Sequence, residues 1–202
     1  GKLRHRVVIE AVVRTPDLSP SFVADLDSAN DINDLAQVVG TRVEGVFPAE
    51  VSRAYLSDRS GLTPLGTLDP NDRGHVIPNA INNAGVVVGS SKIRGVEHAF
   101  VWSAARGMRE LAGLPNASPG AGAVAFDIND AGWIVGYTPD ANGIHYVLWA
   151  PDGTVHDLEA ALADQGPGTR WARLFWALCI NESGQVAAGV LTNGPAGGEI
   201  RP

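Results

Sequence analysis

Apolar residues in this chain come in short runs broken by polar turns, and one such run–turn–run recurs. It reads "NDINDLAQVVG" from Asn30, "NAINNAGVVVG" from Asn79, "FDINDAGWIVGY" from Phe126 and "LCINESGQVAAG" from Leu178. The Ile–Asn pairs stand at 32–33, 81–82, 128–129 and 180–181, so the period is about 50 residues and marks a repeat architecture. Within each phrase, apolar residues flank a turn. Asn82-Asn83-Ala84-Gly85, Asn129-Asp130-Ala131-Gly132 and Asn181-Glu182-Ser183-Gly184 each open on Asn and close on Gly. Asn starts a type I turn through its side chain, and the Gly takes the left-handed conformation that completes a bulged hairpin. The first repeat has Ala36 at the Gly position. It therefore holds a strained left-handed residue or uses another turn.

Two further phrases follow in each of the first three repeats. "HAFVW" from His98 and "HYVLW" from His145 are rich in β-formers, with "RAYLS" from Arg53 as the displaced copy in the first repeat. After a Gly-bearing turn come "LTPLGTL" from Leu62, "MRELAGL" from Met108 and "VHDLEAA" from Val155. Each unit thus predicts four short strands, a to d, in one antiparallel sheet. Such a sheet cannot bury both faces alone. Radial packing solves this, so the expected fold is all-β: a small β-propeller of about four four-stranded blades. The expected domain is single, 1–202, with units at about 23–68, 69–114, 115–159 and 160–202. The last unit stops before its strand c. Residues 5–13, an orphan β-rich segment, are expected to supply its outer strand and close the ring; truncation is the other reading, and a homodimer by strand exchange stays open. One helix is expected, at 157–166, "DLEAALADQG", ended by Gly166-Pro167.

"HAFVW" (98–102), "PLGTL" (64–68) and "AFDINDAGWIVG" (125–136) resemble the HAF repeat family of bacterial proteins. "DLEAALADQGPGTRW" through "INESGQVAAG" is similar to that family's usual closing unit. The likeness covers roughly residues 5–202. It implies a β-propeller-like fold and an extracellular or periplasmic location, with a cytoplasmic one open. It implies no established chemistry, so no functional residue is carried across.

Composition narrows the function classes. The 202 residues are 45% hydrophobic and 18% charged, which is ordinary for a globular chain. The 24 Gly and 13 Pro are dispersed, as many turns require. Net charge is -7 and no basic run exists, so nucleic acid is not an expected partner. No apolar run is long enough to span a membrane, and no signal peptide is read. Cys179 is the single cysteine, which excludes an intrachain disulfide; its apolar neighbours Leu178 and Ile180 predict a buried, inert thiol.

Candidate chemistry is sparse. "DINDAG" and "DINDLA" share spacing with a calcium loop, but the closing Glu is absent and Ala80 and Cys179 replace the first Asp in two copies. A turn role explains all four copies, so no metal and no cofactor is expected. His98 and His145, equivalent to Arg53, are expected to be structural, bonding to backbone. The unrepeated residues carry the functional expectation. "DPNDRGH" (69–75), "GPGTRW" (166–171) and the long connection 41–52 are predicted to meet on the face of the b–c and d–a connections. There His75 with Asp72 would be the catalytic pair, and Arg73, Phe47, Arg170 and Trp171 would contact ligand, with Trp171 as a stacking platform. The expected function is a non-catalytic binding or interaction module for a small molecule, glycan or partner protein. The alternative is a small-molecule cyclase, lyase or hydrolase using that pocket.

Overall fold

The computed structural model describes residues 11–14, 20–45, 49–69, 71, 75–117, 122–141, 143–163 and 171–192. The chain opens on a hairpin, β1 (Ala11–Arg14) with β2 (Pro20–Ala24). Unit one follows as β3 (Ser28–Ile32), β4 (Val38–Glu44), β5 (Val51–Asp58) and β6 (Gly61–Pro64). Unit two is β7 (Val76–Ile81), β8 (Val87–Ile93), β9 (Val96–Ser103) and β10 (Gly107–Glu110). Unit three is β11 (Val124–Ile128), β12 (Ile134–Asp140), β13 (Gly143–Trp149) and β14 (Val155–Asp157). A short helix, α1 (Leu158–Ala163), leads to unit four, β15 (Trp171–Ile180) and β16 (Val186–Thr192).

Among the described residues these strands form three four-stranded and two two-stranded sheets, and every pairing is antiparallel between chain neighbours. The a–d plan read from the repeat is therefore present in units one to three. The fourth strand of unit one sits earlier than expected: β6 ends at Pro64, and the rest of "PLGTL" is held by single contacts such as Leu65 N–H to the Ala54 carbonyl, 3.0 Å. The helix begins one residue inside its expected span, because Asp157 caps it with Oδ1 accepting from Glu159 N–H at 2.8 Å and Ala160 N–H at 3.2 Å.

One expectation changes. Residues 11–13 of the segment thought to close the ring pair instead with β2, as in Ala11 with Ala24 and Val13 with Phe22. A partner a few residues away costs far less chain entropy than one at the far end of the molecule. Residues 5–10 lie outside the described residues.

The turn chemistry is as the sequence predicts. Gly85, Gly132 and Gly184 have φ of 71°, 84° and 77°, and Ala36 adopts the same left-handed conformation at 58°. The Gly ending "VVG" has a different cause. Strand a of each complete unit is bulged, between Ala29 and Asp31, Pro78 and Ala80, and Ala125 and Asp127. Each bulge pushes a backbone carbonyl toward the facing Gly40, Gly89 or Gly136, where a Cβ would overlap it.

The core lies between consecutive units. Val39, Leu56, Ile81 and Phe100 join unit one to unit two; Val88, Ile128, Val147 and Trp149 join two to three; Val135, Ala177 and Ile180 join three to four. No described helix is long and apolar enough to cross a membrane.

Candidate functional site

The repeated Asn does more than start a turn. In unit two, Asn82 Oδ1 accepts from Ala84 N–H at 3.1 Å and Val86 N–H at 3.0 Å, which fixes the turn. Its Nδ2 then donates to the carbonyl of Asn129 in the next unit at 3.0 Å. Asn33 donates to the Asn82 carbonyl at 3.0 Å, and Asn129 to the Asn181 carbonyl at 3.1 Å. A ladder of side-chain amides therefore runs from unit to unit. The neighbouring Asp and Asn residues form a second one. Asn83 Nδ2 donates to Asp34 Oδ2 at 2.8 Å and to Asp130 Oδ2 at 2.9 Å, and Asp130 N–H donates to Glu182 Oε2 at 2.9 Å.

The Asp preceding each Ile works the same way. Asp31 Oδ2 accepts from Ile81 N–H and Asp127 Oδ2 from Ile180 N–H, both at 2.8 Å. Burial pushes the Asp127 carboxyl above its ordinary range, against the N–H donors of Ile180 and Ile128, which favour the charged form. Where Ala80 replaces the Asp, Asn79 Nδ2 reaches the Ala125 carbonyl at 2.7 Å instead. The acidic clusters of the sequence are thus occupied by the joints between units.

The histidines in strand c bond to carboxylates, not to backbone as expected. His98 Nδ1 stands 2.6 Å from Glu110 Oε1, from the third strand of its unit to the fourth. His145 is held from both sides, Nδ1 to Asp157 Oδ2 at 3.0 Å and Nε2 to Asp140 Oδ1 at 3.1 Å. Burial opposes its protonation, but the bonds to Asp157 and Asp140 outweigh it and raise the imidazole's pKa. Both ring nitrogens are consumed, which leaves none to shuttle a proton to a substrate. Cys179 is exposed, contrary to the expectation of burial: it lines an open depression on the face of unit four, with Ala187 and Gln185.

Of the residues expected at a ligand site, His75 is described. It is exposed at the start of β7 and its Nδ1 accepts from Ser52 N–H at 3.2 Å. That bond joins the start of β5 to the start of β7. Asp72, Arg73, Phe47 and Arg170 lie outside the described residues, as does the side chain of Trp171, whose backbone pairs with Thr192.

Sequence reasoning missed a cleft of about 480 Å³ between units two and three. Its walls include Val101, Leu111 and Ile134, and Arg106, Arg109 and Pro151 stand along it. It opens among the a–b and c–d turns, on the face opposite the one that carries His75 and the b–c connections. Arg106 and Arg109 are exposed, and neither pairs with a carboxylate among the described residues. Glu110, also on the wall, is tied to His98, while Asp152 on the rim accepts from its own turn at Thr154 N–H, 2.8 Å. "AARGMRE" (104–110) offered no signal for this, since a cleft between units depends on both partners.

These features define an all-β protein of antiparallel repeat units, joined through the polar residues of the repeat phrase. No family model, no curated protein and no solved structure matches the chain.

Proposed function

We propose that the chain is a non-catalytic binding module. Its units stand radially about a common axis, as the blades of a β-propeller do, and the cleft between units two and three takes a small molecule with an apolar body and an acidic group. The observation that carries this is the pair of arginines, Arg106 and Arg109, that meet no carboxylate among the described residues and stand on a cleft of about 480 Å³ with aliphatic walls. Pockets of this size bury a small ligand, and a few polar groups set its orientation. Arginine is the side chain best suited to grip a carboxylate through two parallel hydrogen bonds. The enzyme alternative has less support, because His145 is clamped at both nitrogens and His75 uses Nδ1 as an acceptor for Ser52. The resemblance to the HAF repeat family supports an extracellular or periplasmic setting.

The test is an NMR titration of the labelled chain with decanoate, and with decanol as the uncharged control. Decanoate is expected to shift the amides of Val101, Leu111 and Ile134 and to bind roughly tenfold more tightly than decanol. Arg106→Gln with Arg109→Gln should erase that difference and leave the fold intact. Shifts confined to other surfaces, or equal binding of both probes, would reject the cleft.

A further inference from the structure

Every inner joint is made from the same parts. Ile81, Ile128 and Ile180 are 5%, 6% and 7% exposed. They pack in turn with Val39, Val88 and Val135 of the preceding unit, all at 0%. Beside each such plug, the Asn of the preceding unit donates to the Asn carbonyl of the following one.

The two end faces carry these parts unused. On unit one, Ile32 is 50% exposed and Leu35 is 66% exposed. The Asn33 carbonyl accepts from Ala36 N–H at 3.0 Å, with no donor from a preceding unit among the described residues. On unit four, Ala187 occupies the place of the three buried valines and is exposed. It lines an open depression of about 310 Å³ with Cys179, Ile180, Gln185 and Val186. Asn181 is exposed too, and its Nδ2 turns back to Gln185 Oε1 at 2.8 Å. One end thus offers an apolar plug and a carbonyl acceptor, and the other a socket and an amide donor.

We propose that a second copy of this chain docks head to tail. Ile32 of each copy enters the Ala187 depression of the other, and Asn181 Nδ2 donates to the facing Asn33 carbonyl, which continues the ladder across the boundary. A plug-to-plug pairing leaves both amide ladders unextended, so the joint is heterologous and two copies form two of them. The result is a closed ring of four units from each copy, within the range of about four to eight blades that propellers use. The joint stands whether or not the cleft takes a ligand.

Sedimentation velocity over a wide concentration range tests this with the full chain. The wild type is expected to run as a dimer. Ile32→Asp alone and Ala187→Asp alone should each weaken association roughly tenfold or more per joint, and so give monomers. Both positions are exposed, so circular dichroism should show each variant folded; Leu35→Lys provides a second, independent substitution on the plug side. A wild type that is monomeric at every concentration overturns the proposal. So does an assembly of another size, or a dimer that survives either substitution.

Discussion

Asn129 and Asn181 occupy the same place in the same phrase, yet Asn129 is 1% exposed and Asn181 lies in solvent. The same contrast separates Ile128, at 6%, from Ile32, at 50%. What differs is the neighbour. Asn129 faces a following unit and donates to it; Asn181 faces none among the described residues and bonds within its own turn. The repeat phrase therefore encodes half of a joint, and its residues are buried wherever the other half is present. Polar residues inside these joints are satisfied in series, which makes an otherwise costly burial of amides and carboxylates tolerable.

The sharpest way to break an inner joint is through Gly136. A Cβ there would overlap the Val124 carbonyl oxygen and stand 2.8 Å from Trp149 Cζ3, inside the packed boundary. Gly136→Ala is expected to cost about 3 kcal/mol, which lowers the melting temperature by about 6–12 °C. At the equivalent Gly189 the atoms nearest an added Cβ belong to the indole of Trp176, a half-exposed side chain that can rotate away. Gly189→Ala should cost about 1 kcal/mol or less. Equal losses at the two glycines would mean that the bulge and its carbonyl do not dictate the residue.

Next in size is the ladder. Asn129→Ala leaves the Trp133 N–H without its acceptor and removes the bond to the Asn181 carbonyl. The expected loss is about 2 kcal/mol, against under about 0.5 kcal/mol for Asn181→Ala. Urea denaturation of both, in the monomeric Ile32→Asp background, separates this effect from association. A loss at Asn181 as large as that at Asn129 would end the distinction between inner and outer faces. A smaller effect should come from the turn of unit one. Ala36 carries φ of 58° where the other units have Gly. Ala36→Gly is expected to stabilise by about 1 kcal/mol. Gly85→Ala should destabilise by a similar amount, since its Cβ would meet only Gln37 Oε1 at 3.4 Å and the penalty is conformational. The urea midpoints of both variants check this.

Periodicity carried the strands well. The alternation of apolar runs and Asn–Gly turns places a and b in all four units, because those signals are local. Strands c and d were legible in the complete units for the same reason. The inter-unit bonds were not legible. Nothing in "DINDAG" distinguishes an Asn that holds its own turn from one that also reaches the next unit, since that requires knowing which surfaces meet. The bulges of strand a were hidden as well, although the invariable Gly of "VVG" within this chain was their trace: a strand interior has no use for Gly unless another backbone comes close. The cleft beside Arg106 and Arg109 belongs to two units at once and has no motif. The pairing of 11–14 with 20–24 was passed over for a longer-range partner, although the local hairpin was the entropically cheaper choice.

His145 tests whether the boundary between units three and four carries a fastener that the earlier boundaries lack. Its clamp runs onward: Asp157 holds His145 with one oxygen and caps α1 with the other, and Glu159 of that helix accepts from Leu174 N–H of β15 at 2.9 Å. The protonated imidazole satisfies Asp140 and Asp157 together, so its pKa is raised in the folded chain. For a group whose folded pKa is raised, the stabilisation is complete below the unfolded value, about 6.5 for histidine, and is lost as pH rises through the folded one. Thermal melts should therefore show stability falling from weakly acid to alkaline pH, by under about 1 kcal/mol given the partial exposure of the ring. His145→Gln should flatten that slope, and the loss should be felt as weaker amide protection in β15. His98, with its single carboxylate partner in unit two, is the internal control: His98→Gln should leave both the slope assigned to His145 and the β15 amides as they were. A His145→Gln variant with an unaltered pH slope would show that the double clamp does not bind unit four to unit three.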